Sequence, residues 1–297
     1  MHTIKTHKHT YFLPASIDQF TKKQFIILCE LLHKLDHGAI NFVQFKFLLA
    51  VRLLGIKKRS IKTEEQREVI MNISNVFDSL FTENSNQFRL NTYMETNLVQ
   101  TVWGLFRKYH GPYDGFSNIT FGEFVKGLDK FYHCTTEASI ENLSALLAVF
   151  YRKKEFKYWF RSTRKLRENG IDVRSDKTIS IRARKYISPG ALFGFFFYFR
   201  SFHEQLSNSV MIVEGSEIDL SILFNDNQPA SNTLKSDIPG LGMLGIAFHI
   251  ANQGGLGDLE NVNSRPMWEV LLYLYNLKKA ELDEAKAQEK SNSNEKK

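Results

Sequence analysis

The stretch "PGALFGFFFYFRSFHE" (residues 189–204) decides how this chain is read. It runs from Ala191 to Phe199, nine residues, without a polar side chain other than the Tyr198 hydroxyl, and from Phe193 to Phe199 every residue but Gly194 is aromatic. Crossing a bilayer as a helix takes about 20 apolar residues, so the run is too short to be a membrane span. A helix of this composition is apolar around its whole circumference and needs cover on every side. Two sources of cover follow. One is the chain's own core; the other is a partner, met by a surface made of Phe193, Phe195, Phe196, Phe197 and Phe199.

Working outward, the composition suits a folded protein built from helices. Hydrophobic residues make up 43% of the 297 positions and 25 are Phe, too much apolar surface for a disordered chain. Only six Pro and 17 Gly interrupt it, which favours long helices over many short strands. Helix starts are written as a hydroxyl residue followed three positions later by Gln or Glu: Thr21 with Gln24, Thr63 with Gln66, and Thr120 with Glu123. Apolar residues then recur at steps of three and four, as in Phe25, Leu28, Leu31, Leu32 and Leu35. Phe42 to Leu54 is apolar on nearly all sides and predicts a central buried helix. Further helices are expected at 93–109, 121–133, 139–151, 189–207 and 241–252, with a last one from about Ser264 that carries Pro266 in its first turn.

The expectation is therefore a mainly α, multi-helix globular protein with an irregular basic mid-region and at most a short β element. Its parts are a helical part over 1–151, a basic connecting segment over 152–188, a helical part over 189–280 and a charged tail over 281–297 that frays into disorder. The alternation of Ile179, Ile181 and Ala183 with polar residues is the one strand-like passage.

Charge is concentrated in the middle. From Arg152 to Lys185 there are thirteen Lys and Arg against Glu155, Glu168, Asp172 and Asp176, a local excess larger than the +7 of the whole chain. Lys153, Lys154, Lys157, Arg161, Arg164, Lys165 and Arg167 offer contacts to phosphates or to an acidic protein, and Tyr158, Trp159 and Phe160 offer faces on which unpaired bases stack. A solvated helix face whose aromatics dock into the core would use the same residues.

No chemical motif survives inspection. Gly240, Gly242 and Gly245 spell G-x-G-x-x-G, but polar residues and Pro239 stand where a dinucleotide fold needs a buried strand. His33 and His37 lack a third metal ligand, and Gly38 ends their helix. His133 and Cys134 are adjacent, so on a helix they point about 100° apart rather than at one another. "EFK" at 155–157 lacks the companion acid of a nuclease site, and Cys29 and Cys134 do not form a disulfide framework. The expectation is no enzyme, no catalytic residue, no cofactor and no metal. With no leader-like apolar core in "MHTIKTHKHTYFLPAS" and no span, the expected setting is the cytoplasm, without membrane contact.

Three stretches carry a resemblance: "LPASIDQFTKKQF" (13–25), "ITFGEFVKGLDKFYHCTTEASIENLSALLAVFYRK" (119–153) and "GGLGDLENVNSRPMWEVLLYLYNLKKAE" (254–281). Together they resemble uncharacterised helical proteins of phage and prophage tail-region gene clusters of Bacteroidota. The resemblance implies a tail assembly chaperone or a minor tail component, in the host cytoplasm or associated with the virion. The partner it implies is a phage tail or tape-measure protein. Nucleic-acid binding through 152–185 is the alternative.

Overall fold

The structure of the chain, a computed structural model, describes residues 2–5, 10–84, 87–90, 94, 96–104, 107–153, 173–208, 210–213, 216–224 and 242–295. Among them the fold is mainly α. The helices are α1 (Lys22–Asp36), α2 (Phe42–Leu53), α3 (Glu64–Ser74), α4 (Phe121–Thr136), α5 (Ile140–Phe150), α6 (Val173–Tyr186), α7 (Pro189–Asn208), α8 (Gly242–Gln253), α9 (Leu259–Ser264) and α10 (Met267–Glu295). Short antiparallel strands accompany them: β1 (His2–Lys5) with β2 (Thr10–Leu13), and β3 (Phe81–Asn84) with β4 (Gln87–Leu90). β5 (Thr101–Gly104), β6 (Arg107–His110) and β7 (Arg152–Lys153) form a three-stranded sheet in that order, and β8 (Val210–Val213) pairs with β9 (Ser216–Asp219).

Local chemistry starts the helices where the sequence says. Thr21 and Gln24 cap α1 reciprocally, and Thr63 and Gln66 do the same for α3. At α4 the Glu123 amide donates to Thr120 Oγ1 and the Thr120 amide to Glu123 Oε2, both at 3.2 Å. α2 starts on a fourth pair, Asn41 with Gln44, which the sequence reading did not single out. Each such cap contributes on the order of 1 kcal/mol.

The chain divides into two compact units interleaved along the sequence, unlike the consecutive parts expected from composition. The first draws on Met1–Gly115, Lys130–Lys154 and Val173–Ser201. At its centre is the aromatic run of α7. Ser188 caps that helix through the Ala191 amide, and Pro189 takes the first position, where a missing amide costs nothing. Phe195 and Phe199 are fully buried. Phe195 meets Phe150 at 5.5 Å and Tyr151 edge-on at 5.0 Å, while Phe199 lies 5.3 Å from Phe150 and 5.2 Å from Phe131. Phe196 adds Phe131 at 5.7 Å. Burying one such ring stabilises by roughly 1.5–3 kcal/mol, with about 0.5–1.5 kcal/mol more per well-set aromatic pair.

Two glycines bring α7 onto α1. A Cβ at Gly190 would lie 2.3 Å from the Ile26 carbonyl oxygen, and one at Gly194 would lie 3.0 Å from the Phe25 ring and 3.4 Å from Cys29 Sγ. At Gly190 the obstructing atom is backbone, so only glycine lets the helices come this close there, while at Gly194 the Phe25 ring would have to shift. α6 closes the same unit by laying Ile179, Ala183 and Ile187, all buried, along α5. Steps of four thus displace the strand-like alternation, and Ile181 is left in solvent. The helix expected at 93–109 is also absent: Thr101–Gly104 and Arg107–His110 are paired strands, held by their ladder to each other and to β7.

The second unit draws on Phe116–Asp129 and Phe202–Lys297. Phe202 packs against Phe116 at 4.5 Å and edge-on against Trp268 at 5.8 Å. Met267, Val270 and Leu271 of α10 are fully buried. α10 continues to Glu295, so the charged tail expected to fray is helical through that residue. From Asp283 to Gln288 its side chains are exposed.

Gly190→Ala should lower unfolding stability by about 1–3 kcal/mol, because the obstructing atom is backbone and cannot turn aside. Phe195→Ala should cost about 3–5 kcal/mol. Both are measured by urea denaturation followed by far-ultraviolet circular dichroism.

Candidate functional site

The basic segment meets the described structure at both ends, and both ends rest on one small sheet. β7 pairs with β6, Lys153 opposite Tyr109 and Arg152 opposite His110. The chain re-enters the described residues at α6, which packs against β5 as well as α5. Arg152 ties the two ends together, its guanidinium 3.3 Å from the Asp176 carboxylate on α6.

A buried polar turn sets the sheet. Asn97 is almost wholly buried. Its amide donates to Asp114 Oδ1 (2.7 Å), its Nδ2 to the Pro112 carbonyl (2.9 Å), and its Oδ1 accepts from the Val99 amide (2.9 Å). The Tyr151 hydroxyl donates to the Val99 carbonyl at 2.6 Å. The Tyr151 ring fills the place of a side chain at Gly111, where a Cβ would sit 2.5 Å from it. These bonds fix where β5 begins, and strand alternation does the rest.

Val102 and its partner Tyr109 point inward and are buried. Trp103 and Lys108, the next cross-strand pair, point outward, with Trp103 66% exposed. Lys22, the first residue of α1, reaches over this face and donates from Nζ to the Thr101 carbonyl and, at 3.1 Å, to Thr101 Oγ1. Partial burial, and then the neighbouring charge of Lys108, hold the Lys22 ammonium below the usual lysine value. An indole face and two mutually repelling cations share one exposed surface. Such a surface attracts anions and flat π systems.

Lys177, Arg184 and Lys185 add cations on the exposed side of α6. Lys185 lies 5.3 Å over the Tyr186 ring and Arg184 lies 3.7 Å from the Glu141 carboxylate.

The residues selected from the sequence fall elsewhere. Lys154, Lys157, Arg161, Arg164, Lys165 and Arg167 lie outside the described residues, as does the 155–157 motif; of Lys153 the backbone is placed, in β7. Phe193, Phe195, Phe196 and Phe199 are buried and Phe197 is half-buried. This corrects their reading as an exposed partner surface, since their contacts are with Phe131, Phe150, Tyr151 and His33. Of the three glycines, Gly242 and Gly245 sit in α8, while Gly240 is outside the described residues. Lys22, Trp103 and Lys108 were missed. The period-two signal was present, with Val102 and Gly104 alternating with Thr101 and Trp103, but Val99, Val102 and Tyr109 also fit helical steps.

Other titratable groups are occupied with structure. His33 donates from Nε2 to the Ala138 carbonyl at 3.3 Å, and its ring lies tilted 4.2 Å from that of His37, whose Nδ1 donates to the His33 carbonyl at 2.9 Å. Burial, then the His37 charge, push the His33 pKa below its ordinary value. Burial raises both thiols, well up for Cys29 and to about 12 for Cys134. Among the described residues no group of three His, Cys, Asp or Glu is placed to hold a metal ion. No helix among them is long and apolar enough to cross a membrane. A cavity of about 70 Å³ lined by Ile17, Asp18, Met94, Thr96 and Leu98 has room for a few waters.

No protein-family model, no curated protein and no solved structure matches this chain.

Both cysteines should resist a thiol-specific reagent in the native protein at neutral pH and react promptly in denaturant, as read by absorbance of the released chromophore. Because the folded pKa of His33 lies below 6.5, the unfolded chain takes up the proton first as pH falls. The stability it contributes is present above pH 6.5 and is lost in the window just below it. Thermal melts from pH 7.5 to about 5 should show this decline, less steep in His33→Gln.

Proposed function

We propose that this chain is a non-enzymatic, phage-type protein that works through contacts with another protein, as a tail assembly chaperone or a minor structural component of the tail. The observation that supports this most is where the resembling stretches lie. The first part of one, 119–129, and another, 254–281, join backbone to backbone in the second unit. Thr120 bridges to Pro266, the Phe121 amide donates to the Arg265 carbonyl at 2.9 Å, and the Met267 amide to the Ile119 carbonyl at 3.0 Å. A Cβ at Gly122 would lie 3.0 Å from the Asn263 Cβ. These parts of two resembling stretches thus form one local structure.

Since the α7 aromatics are inside, partner capture falls to apolar side chains that stand in solvent. In the second unit these include Phe248 and Val210, and in the first Phe12. The exposed part of α10 acts as a charged handle that keeps the complex in solution.

A second reading, nucleic-acid binding through 152–185, is favoured by the anchoring of both segment ends on a sheet that carries Lys108 and holds Lys22 through Thr101. Affinity purification of the chain from the cells that produce it, with and without nuclease, separates the two. A tail or tape-measure protein recovered under both conditions is the expected result. Recovery of nucleic acid, with partners lost after nuclease, would replace the first reading by the second.

A further inference from the structure

We propose that the outward face of the β5–β6 hairpin, made by Trp103, Lys108 and Lys22, binds single-stranded nucleic acid. The inference rests on the second reading above and adds to it a site outside the basic segment. Three observations carry it. Trp103 is 66% exposed, on a strand whose alternate side chain, Val102, is buried. Its position is therefore set by the same register that fixes the core, rather than by a loose loop.

Lys108 stands directly opposite Trp103 across the hairpin, so cation and indole are neighbours on one face. Lys22 is brought to that face by its bonds to Thr101, although it belongs to a different element. The arrangement keeps two like charges near one another in the free protein, and an anion between them removes that repulsion.

The chemistry selects the ligand. A phosphate backbone answers the two ammonium groups, and an unpaired base answers the indole face, a combination that single-stranded DNA and RNA present at every nucleotide. Duplex DNA offers the phosphates but keeps its bases stacked on one another. An acidic peptide offers charge without a base to stack. The site also lies on the sheet that β7, at the start of the basic segment, joins.

The test is fluorescence anisotropy of a labelled oligothymidylate with the full chain, over a range of salt concentrations. Trp103→Ala should weaken binding about 10-fold, and Trp103→Phe should keep most of the affinity because a stacking face remains. Lys22→Gln with Lys108→Gln should lower the slope of log affinity against log salt by about 1.4. Native thermal melts of each variant show that the fold is kept, as expected for solvent-facing side chains.

Unchanged affinity in Trp103→Ala, equal binding of a duplex of the same length, or displacement by polyglutamate as readily as by unlabelled oligonucleotide would each overturn the proposal. A variant with Arg161, Arg164, Lys165 and Arg167 changed to Gln separates it from the reading beneath. Binding lost there but kept in the hairpin variants would leave the basic segment as the binding element and remove this site. No binding by the wild-type chain at low salt would remove both.

Discussion

The close approach of α7 to α1 is the constraint on which the first unit depends. Gly190 and Gly194 remove the two side chains that would hold the helices apart, and the aromatic ring row of α7 then reaches Phe131 and Phe150. Tyr151 ends α5 with its ring against Phe195 and its hydroxyl on the Val99 carbonyl. One side chain thereby links the aromatic core to the turn that starts β5. The exposed hairpin face is held in place by the same contacts that bury the phenylalanines.

Much of the helical frame could be read from the sequence because its determinants are local. Capping pairs at Thr21, Thr63 and Thr120 need only residues three apart, and they form as written. What could not be read depends on partners far along the chain. Residues 101–110 carry both helical and strand spacing, and the choice is made by pairing with β7 some 40 residues later. Ile179, Ile181 and Ala183 alternate, yet α5 offers a helix-shaped bed, and Ala183 and Ile187 follow Ile179 into it. The aromatic run illustrates the same limit. Composition requires it to be covered but does not say by what, and the cover is Phe131, Phe150 and Tyr151 of the same chain. The hairpin site was hidden for this reason: no reading that makes 93–109 a helix puts Trp103 beside Lys108.

Moving the aromatic block from surface to core changes what a partner would meet. A chaperone acting through α7 would have to unpack its own centre to bind, at the cost of several buried rings. Binding at the outer side chains needs no such rearrangement, and it fits the ordinary pattern of interfaces whose backbones move little on association. The two proposed contacts, apolar toward a tail protein and cationic toward a nucleic acid strand, use different residues and can coexist.

The distance in sequence between α1 and α7 also bears on how the chain is made. α1, α2 and α3 are consecutive and locally capped, so they can form soon after they leave the ribosome. The helix that covers α1 begins at Pro189. At synthesis rates of about 5–20 residues per second, the apolar side of α1 therefore waits on the order of 10–30 seconds for it. During that interval Phe25 and Cys29, fully buried in the finished protein, lack the cover that α7 gives them. Yield in a heterologous host should then be governed by elongation speed and holdase supply more than by the stability of the completed fold.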